Sequence, residues 1–499
     1  MYGEIGKKRK MIVLAGVLVG VFLIFVDTTV ISTAMPQIVA SIGGMEYVSW
    51  VFTAYMLASI VSIPVFGKLA DMYGRKFFYI FGIMLFLIGS ILSGASMTML
   101  QLIVFRSLQG VGGGMISANA SAVIADVFSP AERGKFQGLL TSVMAIAGVI
   151  GPAFGGMITD NLSWRWAFYI NIPIGILTIL VMWFAFPSIK HDDIKHSIDF
   201  SGAALIIVTF VPMLLAFSWA EIKYDWSSKE MLALLAFSGI SLLVLIFVES
   251  KVKEPITPLS LFKSSIFNIS VITSFLSMAV FYGIVMYMPL FVQEVMGKTA
   301  SGSGAITTPL MLGMVVTTLI GGQTISKTGK YKVINILGFG IVFVGTILLT
   351  LMNIRTTSMN VIINMFIIGM GAGLIVPVAV IAVQNAFPHS QVGTVTATLQ
   401  FFRNLGSTIG VSVFGSILNS TFRRESIGKI TTSAEKLVPD NIKAAIFISM
   451  HEVFMVAAFV VLTTLILAIF LKELPLRKKN DSWAEECLDT QESILQKEG

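Results

Sequence analysis

GVGGGMISANASAVIADVFSPAERG, residues 110–134, returns in altered form as GMGAGLIVPVAVIAVQNAFPHSQVG at residues 369–393. Glycines recur at matching places, and both copies run from an apolar stretch into a proline-containing turn. A second pair keeps nearly the same offset. GKLADMYGRK (67–76) matches GQTISKTGKY (322–331), retaining Gly67/Gly322, Gly74/Gly329 and the basic pair Arg75/Lys330. One structural unit therefore occurs twice, over roughly 11–187 and 266–472. Parallel repeats of this kind build transporters whose site lies between two rocking halves.

The unit is made of membrane helices. The 499 residues are 55% hydrophobic and only 12% charged, with mean hydropathy +0.87, against about 25% charged for a soluble domain. Apolar windows of about 18–25 residues, each long enough to cross a bilayer, recur along nearly the whole chain. Fourteen are counted: about 11–38, 47–66, 77–95, 99–127, 136–158, 166–186, 200–219, 231–248, 266–292, 304–325, 333–352, 359–386, 392–418 and 451–471. Alternation suited to barrel strands is absent, so the expected fold is all-α and polytopic. Residues 1–187 form a first six-helix half and 188–265 a linker with two extra helices. Residues 266–472 form the second half, and 473–499 a tail.

Lysine and arginine set the orientation. With the N-terminus inside, cytoplasmic segments hold 22 of these residues and external loops 10. Five of those ten fall in the long segment 419–450, where the bias carries little weight. Both termini are expected in the cytoplasm. The net charge of +7 then reflects topology, with no nucleic-acid partner implied. The first span is too long for a signal-peptide core and reads as an uncleaved anchor. The lone Cys487 allows no intrachain disulfide.

Against this apolar background, single charges are informative. Asp27 is the only ionisable side chain between Lys10 and Glu46. A carboxylate at the centre of a membrane helix costs roughly 2.5–3.5 kcal/mol. Asp27 lies about 24 Å along its helix from Met11 at roughly 1.5 Å per residue, within the hydrocarbon depth. It is tolerable there when protonated, or when ionised beside a cation or a buried arginine.

Arg106 is such an arginine. At helical spacing it shares a face with Gly110, Gly113, Ser117 and Ser121. A buried guanidinium needs an acceptor, and Asp27, backbone carbonyls or a substrate would serve. A purely structural ion pair is the competing reading. GKLADMYGRK carries four charges in ten residues. Its Gly67 and Gly74 permit a tight turn and close helix approach. Asp71 and Arg75 can pair with each other or with another helix end, forming a contact specific to one conformation. AGVIGPAFGG (147–156) sets Gly148, Gly151, Gly155 and Gly156 around Pro152, as in a kinked packing helix that also hinges between halves.

The second half is poorer in charge. Asp71 is replaced by Ser326 and Arg106 by Met365, and Glu294 is the only acid between Lys263 and Glu425. Ion coupling is therefore expected in the first half and pocket shaping in the second. Arg403 shares a polar stripe with Thr396, Gln400 and Ser407. Met278, Tyr282 and Met286 form a pocket-like line that suits varied apolar ligands. The candidate substrate cavity is Asp27, Tyr55, Ser117, Tyr282, Met286, Gln400 and Arg403.

Two weaker patterns are set aside. GGQTISKT (321–328) has Ser326 where a phosphate-binding loop needs glycine, and it ends a membrane helix, so ATP is not expected. HDDIKH (191–196) reads as a solvated loop, so no metal is expected.

Together these motifs resemble the major facilitator superfamily, in particular its fourteen-helix drug:proton antiporters. GKLADMYGRK is similar to that family's loop motif A, LIVFRSLQGVGGG (102–114) to motif B and GVIGPAFGG (148–156) to the antiporter motif C. VDTTVISTAMPQI (26–38) resembles its first-helix signature. The resemblance implies a bacterial cytoplasmic-membrane exporter of lipophilic cationic or neutral drugs, driven by protons with no other cofactor. Membrane lipids would surround it, and a monomer suffices. Asp27 would bind the proton or cation, Arg106 would couple it, and Asp71 with Arg75 would form the conformational lock. The alternative is transport of an anionic or zwitterionic metabolite, or of a lipid or envelope precursor, anchored by Arg106 or Arg403.

Overall fold

The computed structural model describes residues 6–187, 199–220, 224–430 and 439–476; side chains at 152–153, 159–160, 300–301, 426–430 and 439–442 fall outside that description. HDDIKH and Cys487 lie outside the described residues. The described residues are helical almost throughout. The first group comprises α1 (Lys7–Ile42), α2 (Val48–Tyr73), α3 (Arg75–Gly94), α4 (Met99–Val127), α5 (Pro130–Asn161), the one-turn α6 (Trp166–Tyr169) and α7 (Asn171–Ala185). Two linker helices follow, α8 (Phe200–Trp219) and α9 (Lys229–Glu249). The second group is α10 (Ser265–Leu290), α11 (Ala300–Thr328), α12 (Tyr331–Thr350), α13 (Ser358–Ala386), α14 (Val392–Ile430) and α15 (Pro439–Ile469).

Twelve spans among the described residues are long and apolar enough to cross a membrane. The long helices α4 and α14 fall outside that set. They are the helices that carry Arg106 and Arg403, and their polar and glycine content dilutes the apolar signal. Local chemistry sets the ends. Thr98 accepts the Gln101 amide at 3.3 Å to start α4. Pro130 occupies the first turn of α5, where Ser129 and Glu132 form a capping box.

Packing repeats between the groups. α1 packs on α5 and α7, as α10 packs on α14 and α15; α2 and α3 pack on α4, as α11 and α12 pack on α13. The groups meet where α2 lies against α14 and α5 against α11. Glycines allow these approaches: a Cβ at Gly112 of α4 would reach within 2.7 Å of the Gly82 carbonyl oxygen. At Gly371 of α13 it would reach within 2.6 Å of the matching Gly338 carbonyl. Gly369 is tighter still, because a Cβ there would overlap the Leu310 carbonyl of α11. Backbone cannot yield as a side-chain tip can. Gly369→Leu is therefore expected to cost about 1–3 kcal/mol or more from overpacking, read as a lower melting temperature and less monodisperse protein in detergent.

Helix α14 runs through Ile430 and α15 begins at Pro439. The long external loop expected over 419–450 is thus largely helix. Apolar length measures what the bilayer covers, whereas a helix continues as far as its backbone bonding does. The linker pair rests on the join between groups. Phe210 of α8 meets Phe401 of α14 edge-on at 4.7 Å, and Ile206, Leu245 and Ile256 pack with Val61 of α2.

Candidate functional site

Asp27 sits inside the first group with 1% of its surface exposed, and Arg106 of α4 with none. The Arg106 Nη1 donates to Asp27 Oδ2 at 2.6 Å. The other carboxylate oxygen accepts Gln109 Nε2 at 2.8 Å and Asn171 Nδ2 at 2.7 Å. Asn171 also donates to Ser90 Oγ at 3.0 Å, and Arg106 donates to Gln109 Oε1 at 2.7 Å. Helices α4 and α7 thus converge on one carboxylate of α1, with α3 reached through Asn171. Three donors therefore meet this one buried carboxylate.

The guanidinium is less well served. Arg106 lies 4.1 Å over the Tyr55 ring of α2, while among the described residues its Nε and Nη2 have no hydrogen-bond partner. Gly110 and Gly113 bring α4 against Tyr55, so Tyr55 is a lid on the ion pair. Asp27 and Tyr55 were expected in the substrate cavity, and here the structure differs. Both are buried within the first group, because Arg106, Gln109 and Asn171 draw the carboxylate away from the central space.

That space is a cavity between the groups. Val21 and Phe25 of α1, Ser117 and Ser121 of α4, and Leu140 and Met144 of α5 line one side. Pro377 of α13 with Gln400 and Arg403 of α14 line the other. Arg403 is 8% exposed and donates to Gln400 Oε1 at 3.2 Å. Tyr282, expected in the cavity, lies within electrostatic reach of Arg403 but is exposed and is not among the lining residues. Met286 is exposed beyond this cavity and does not line it. Met278 turns into a second, apolar cavity inside the second group, shared with Phe339 and Ile375.

Motif residues 67–75 lie at the end of the bundle that carries Lys7–Lys10, termed the basic end. Gly74 has φ +103°, which favours glycine at this turn. Asp71 accepts Arg75 Nη2 at 2.6 Å, and Arg75 also pairs with Asp126 of α4. Asp71 reaches across to the other group as well. It accepts Gly393 N at 3.1 Å, Thr394 N at 2.5 Å and Thr394 Oγ1 at 2.8 Å in the first turn of α14. A Cβ at Gly67 would overlap that of Ala397 on the same helix. The repeat-related join holds a weaker version: Lys135 N of α5 donates to Ser326 Oγ of α11 at 3.0 Å. The hydrogen bonds between groups cluster at this end, with Gln384 Nε2 to the Ser121 carbonyl as another.

Helix α5 runs through Pro152 without interruption. Gly151 and Gly155 admit Thr29 and Thr33 of α1, so their close contacts lie within the first group. Gly148 and Gly156 look onto open space.

Gln109, Asn171, Ser90 and Asp126 were not singled out in the sequence. Gln109 stands three residues from Arg106 on the same face, a usable signal. For Asn171, the only hint is an amide opening an apolar helix.

Residues 17–411 match the family model described as Major Facilitator Superfamily. Multidrug transporter protein MdtP of Bacillus subtilis (strain 168) is 38% identical over 435 residues, covering 87% of this chain and 78% of that one. Multidrug resistance protein 3 of the same organism is 37% identical over 413 residues, covering 82% and 80%. Among solved structures, the human organic anion transporter MFSD10 (TETRAN) superposes with TM-score 0.65 at 15% identity, covering 92% of this chain and 99% of that one. The proton:xylose symporter XylE gives 0.61 at 14%, covering 96% and 99%. At these identities the two structures speak to the fold alone. The likeness of fold extends over nearly the whole chain, and members of the matched family are transporters rather than enzymes. On its sequence and its fold, the chain belongs to the Major Facilitator Superfamily.

Proposed function

We propose that this transporter is a proton-coupled antiporter exporting lipophilic drugs by alternating access, with Asp27 as the proton site. The observation that carries the reading is the buried Asp27–Arg106 pair, a carboxyl and a guanidinium in direct contact with no exposed side-chain surface. The basic end is taken as cytoplasmic from the lysine and arginine bias, so the conformation described is closed toward the cytoplasm. A proton reaching Asp27 cancels the charge that holds Arg106, whose Nε and Nη2 already lack partners. The guanidinium must then find another acceptor, and α4 shifts with it. The same helix ends in Asp126, which holds Arg75 of the lock. Twenty residues separate Arg106 from Asp126, about 30 Å of continuous helix. One rod therefore links the proton site to the join between halves. Drug would enter from the cytoplasm or the inner leaflet when that join is open.

The cavity refines the substrate class. Arg403 is its one charged lining residue among those described, and no carboxylate faces it. Neutral or anionic lipophiles are favoured over cations there. The second reading, transport of an anionic metabolite or envelope precursor anchored by Arg403, draws on the same arginine. Its rival Arg106 is spoken for by Asp27.

The test uses purified protein in liposomes, an imposed pH gradient and a clamped potential, with ethidium, a neutral dye and an anionic dye compared. Accumulation driven by the gradient supports antiport; none for any dye would overturn it. Arg403→Gln is expected to raise transport of ethidium relative to the anionic dye by roughly tenfold. One charge at close range is worth about 1–4 kcal/mol. An unchanged ratio would remove Arg403 from substrate contact.

A further inference from the structure

Far from the central cavity, the linker helices bring two more carboxylates together in a buried position. Asp199 precedes α8 and is 7% exposed; Glu249 ends α9 and is 3% exposed. Asp199 has an ordinary structural task on one side only. Its Oδ1 accepts Gly202 N at 2.8 Å and Ser201 Oγ at 2.6 Å, capping the helix. Among the described residues its Oδ2 has no partner. Glu249 repeats the pattern, with Oε2 accepting Thr257 N at 3.3 Å and Oε1 left alone. The two orphan oxygens converge on one spot. A Cβ on Gly202 would overlap Asp199 Oδ2 and come within 3.0 Å of Glu249 Oε1. Glycine leaves that space open.

Buried oxygens without donors are uncommon, because each forfeits its hydration for nothing. Two that face each other, both on acids, form a worse case, since like charges in a dry place repel. Helix ends split the pair. Asp199 lies at the N-terminus of α8, where one of its oxygens holds the Gly202 backbone N–H. Glu249 lies at the C-terminus of α9, where the carbonyl ends oppose a negative charge. Among the described residues the surroundings offer Glu249 backbone and hydroxyl donors from 256–257 but no cation. Segment 256–257 presents backbone and the Thr257 hydroxyl, α2 presents Val61 and Val65, and α8 adds Ile206 and Ala203. Among the described residues, Asp199 is the one charge acting on Glu249.

We propose that Asp199 and Glu249 form a binding site for one monovalent cation, held between Asp199 Oδ2 and Glu249 Oε1 at the basic end of the linker hairpin. A proton on Glu249, donating to Asp199, meets the need for one charge and one donor. A small alkali cation bridging both oxygens meets the same need. The inference stands apart from the drug-export reading, because neither residue touches Asp27, Arg106 or the cavity. Its place gives it consequence, since α8 packs on α2 of one group and α14 of the other.

The test is infrared difference spectroscopy on the full-length purified protein in lipid, comparing acid and alkaline buffers with choline as the only other cation. A proton at the site gives a protonated-carboxyl C=O band that Glu249→Gln removes. Asp199→Asn takes away the like charge and should move that band's midpoint to more acidic pH by about one unit or more, tenfold in proton affinity. A structural role alone would not move it. If an alkali ion is the ligand, the band is missing, and sodium or potassium raises the melting temperature saturably over choline. That rise would be lost in Asp199→Asn. Glu249→Gln and Asp199→Asn are isosteric, and either alone suffices should the other not fold. No titrating band at Glu249 together with no alkali-dependent stabilisation would overturn the proposal.

Discussion

Asp27→Asn should abolish gradient-driven transport, by about 100-fold or more, while drug binding in the cavity changes by no more than roughly threefold. The first half of this expectation follows from removing the only titratable group buried in the first membrane helix. General acid–base groups in catalysis give losses of about 10²–10⁴, and the proposed proton-driven cycle has no bypass. The second half follows from position. Asp27 is 1% exposed and turned toward Arg106, Gln109 and Asn171, whereas the cavity is lined by other residues of α1, Val21 and Phe25. The variant also strands a cation. Asparagine cannot supply the charge Arg106 requires, and breaking a buried pair from one side costs about 3–5 kcal/mol. Asp27→Asn with Arg106→Gln should restore much of the lost thermal stability without restoring transport. Drug binding by fluorescence polarisation, melting temperature and liposome transport would be measured on the same preparations. A fall in binding parallel to the fall in transport would mean that the drug touches Asp27 directly. Coupling would then be competition at one site.

Charge bookkeeping extends the point. If one proton is exchanged for one neutral drug, a cycle moves one charge and feels the membrane potential by about 2.3 kcal/mol per 100 mV, roughly 50-fold in gradient. An anionic drug would move two charges and a monovalent cation none. The cavity with Arg403 and no acid therefore predicts potential-sensitive efflux for its preferred substrates.

Much of this architecture was legible because the bilayer leaves few options. An acid alone in an apolar helix and an arginine alone in another must be neutralised, and mutual pairing is the economical answer for Asp27 and Arg106. The repeat likewise implied that the surroundings of Gly67–Arg75 and Gly322–Lys330 would correspond, and Asp71 and Ser326 do occupy related joins. What escaped has a physical cause in each case. Neutral amides such as Asn171 carry no charge that must be compensated, so nothing in the sequence demanded a partner for it. Met278, Tyr282 and Met286 looked like one line because they are spaced by four. A step of four overshoots a turn of 3.6 residues by about 40°, so Met278 turns into the apolar cavity of the second group while Tyr282 and Met286 are exposed. The burial of Asp27 away from the cavity depended on α7, whose Asn171 arrives from 144 residues away. Sequence spacing within α1 could not show on which side that helix would lie.

Asp71→Asn should open the basic end. In the described conformation the Asp71 carboxylate accepts three bonds from the first turn of α14 and is itself held by Arg75. An anion at a helix N-terminus is worth up to about 2 kcal/mol in partly buried geometry. Asparagine keeps the shape and loses the charge. The ratio of open to closed states should then rise by roughly 30-fold, the equivalent of about 2 kcal/mol. Ser326→Ala removes the related contact at the α5–α11 join, which is one neutral hydrogen bond. Such bonds contribute about 1 kcal/mol, so the shift expected there is only about fivefold. The asymmetry is the informative part, because a twofold repeat carries a charged latch on one side and an uncharged one on the other. Spin labels at Tyr73→Cys and Lys330→Cys, in a Cys487→Ser background, would report the distance between groups at this end. A larger long-distance population in Asp71→Asn than in Ser326→Ala is the expected result. Equal responses would show that the glycine contacts of α5 with α11, Gly134 on Gly322 and Gly138 on Thr318, hold the end closed, and that the carboxylate only tunes it.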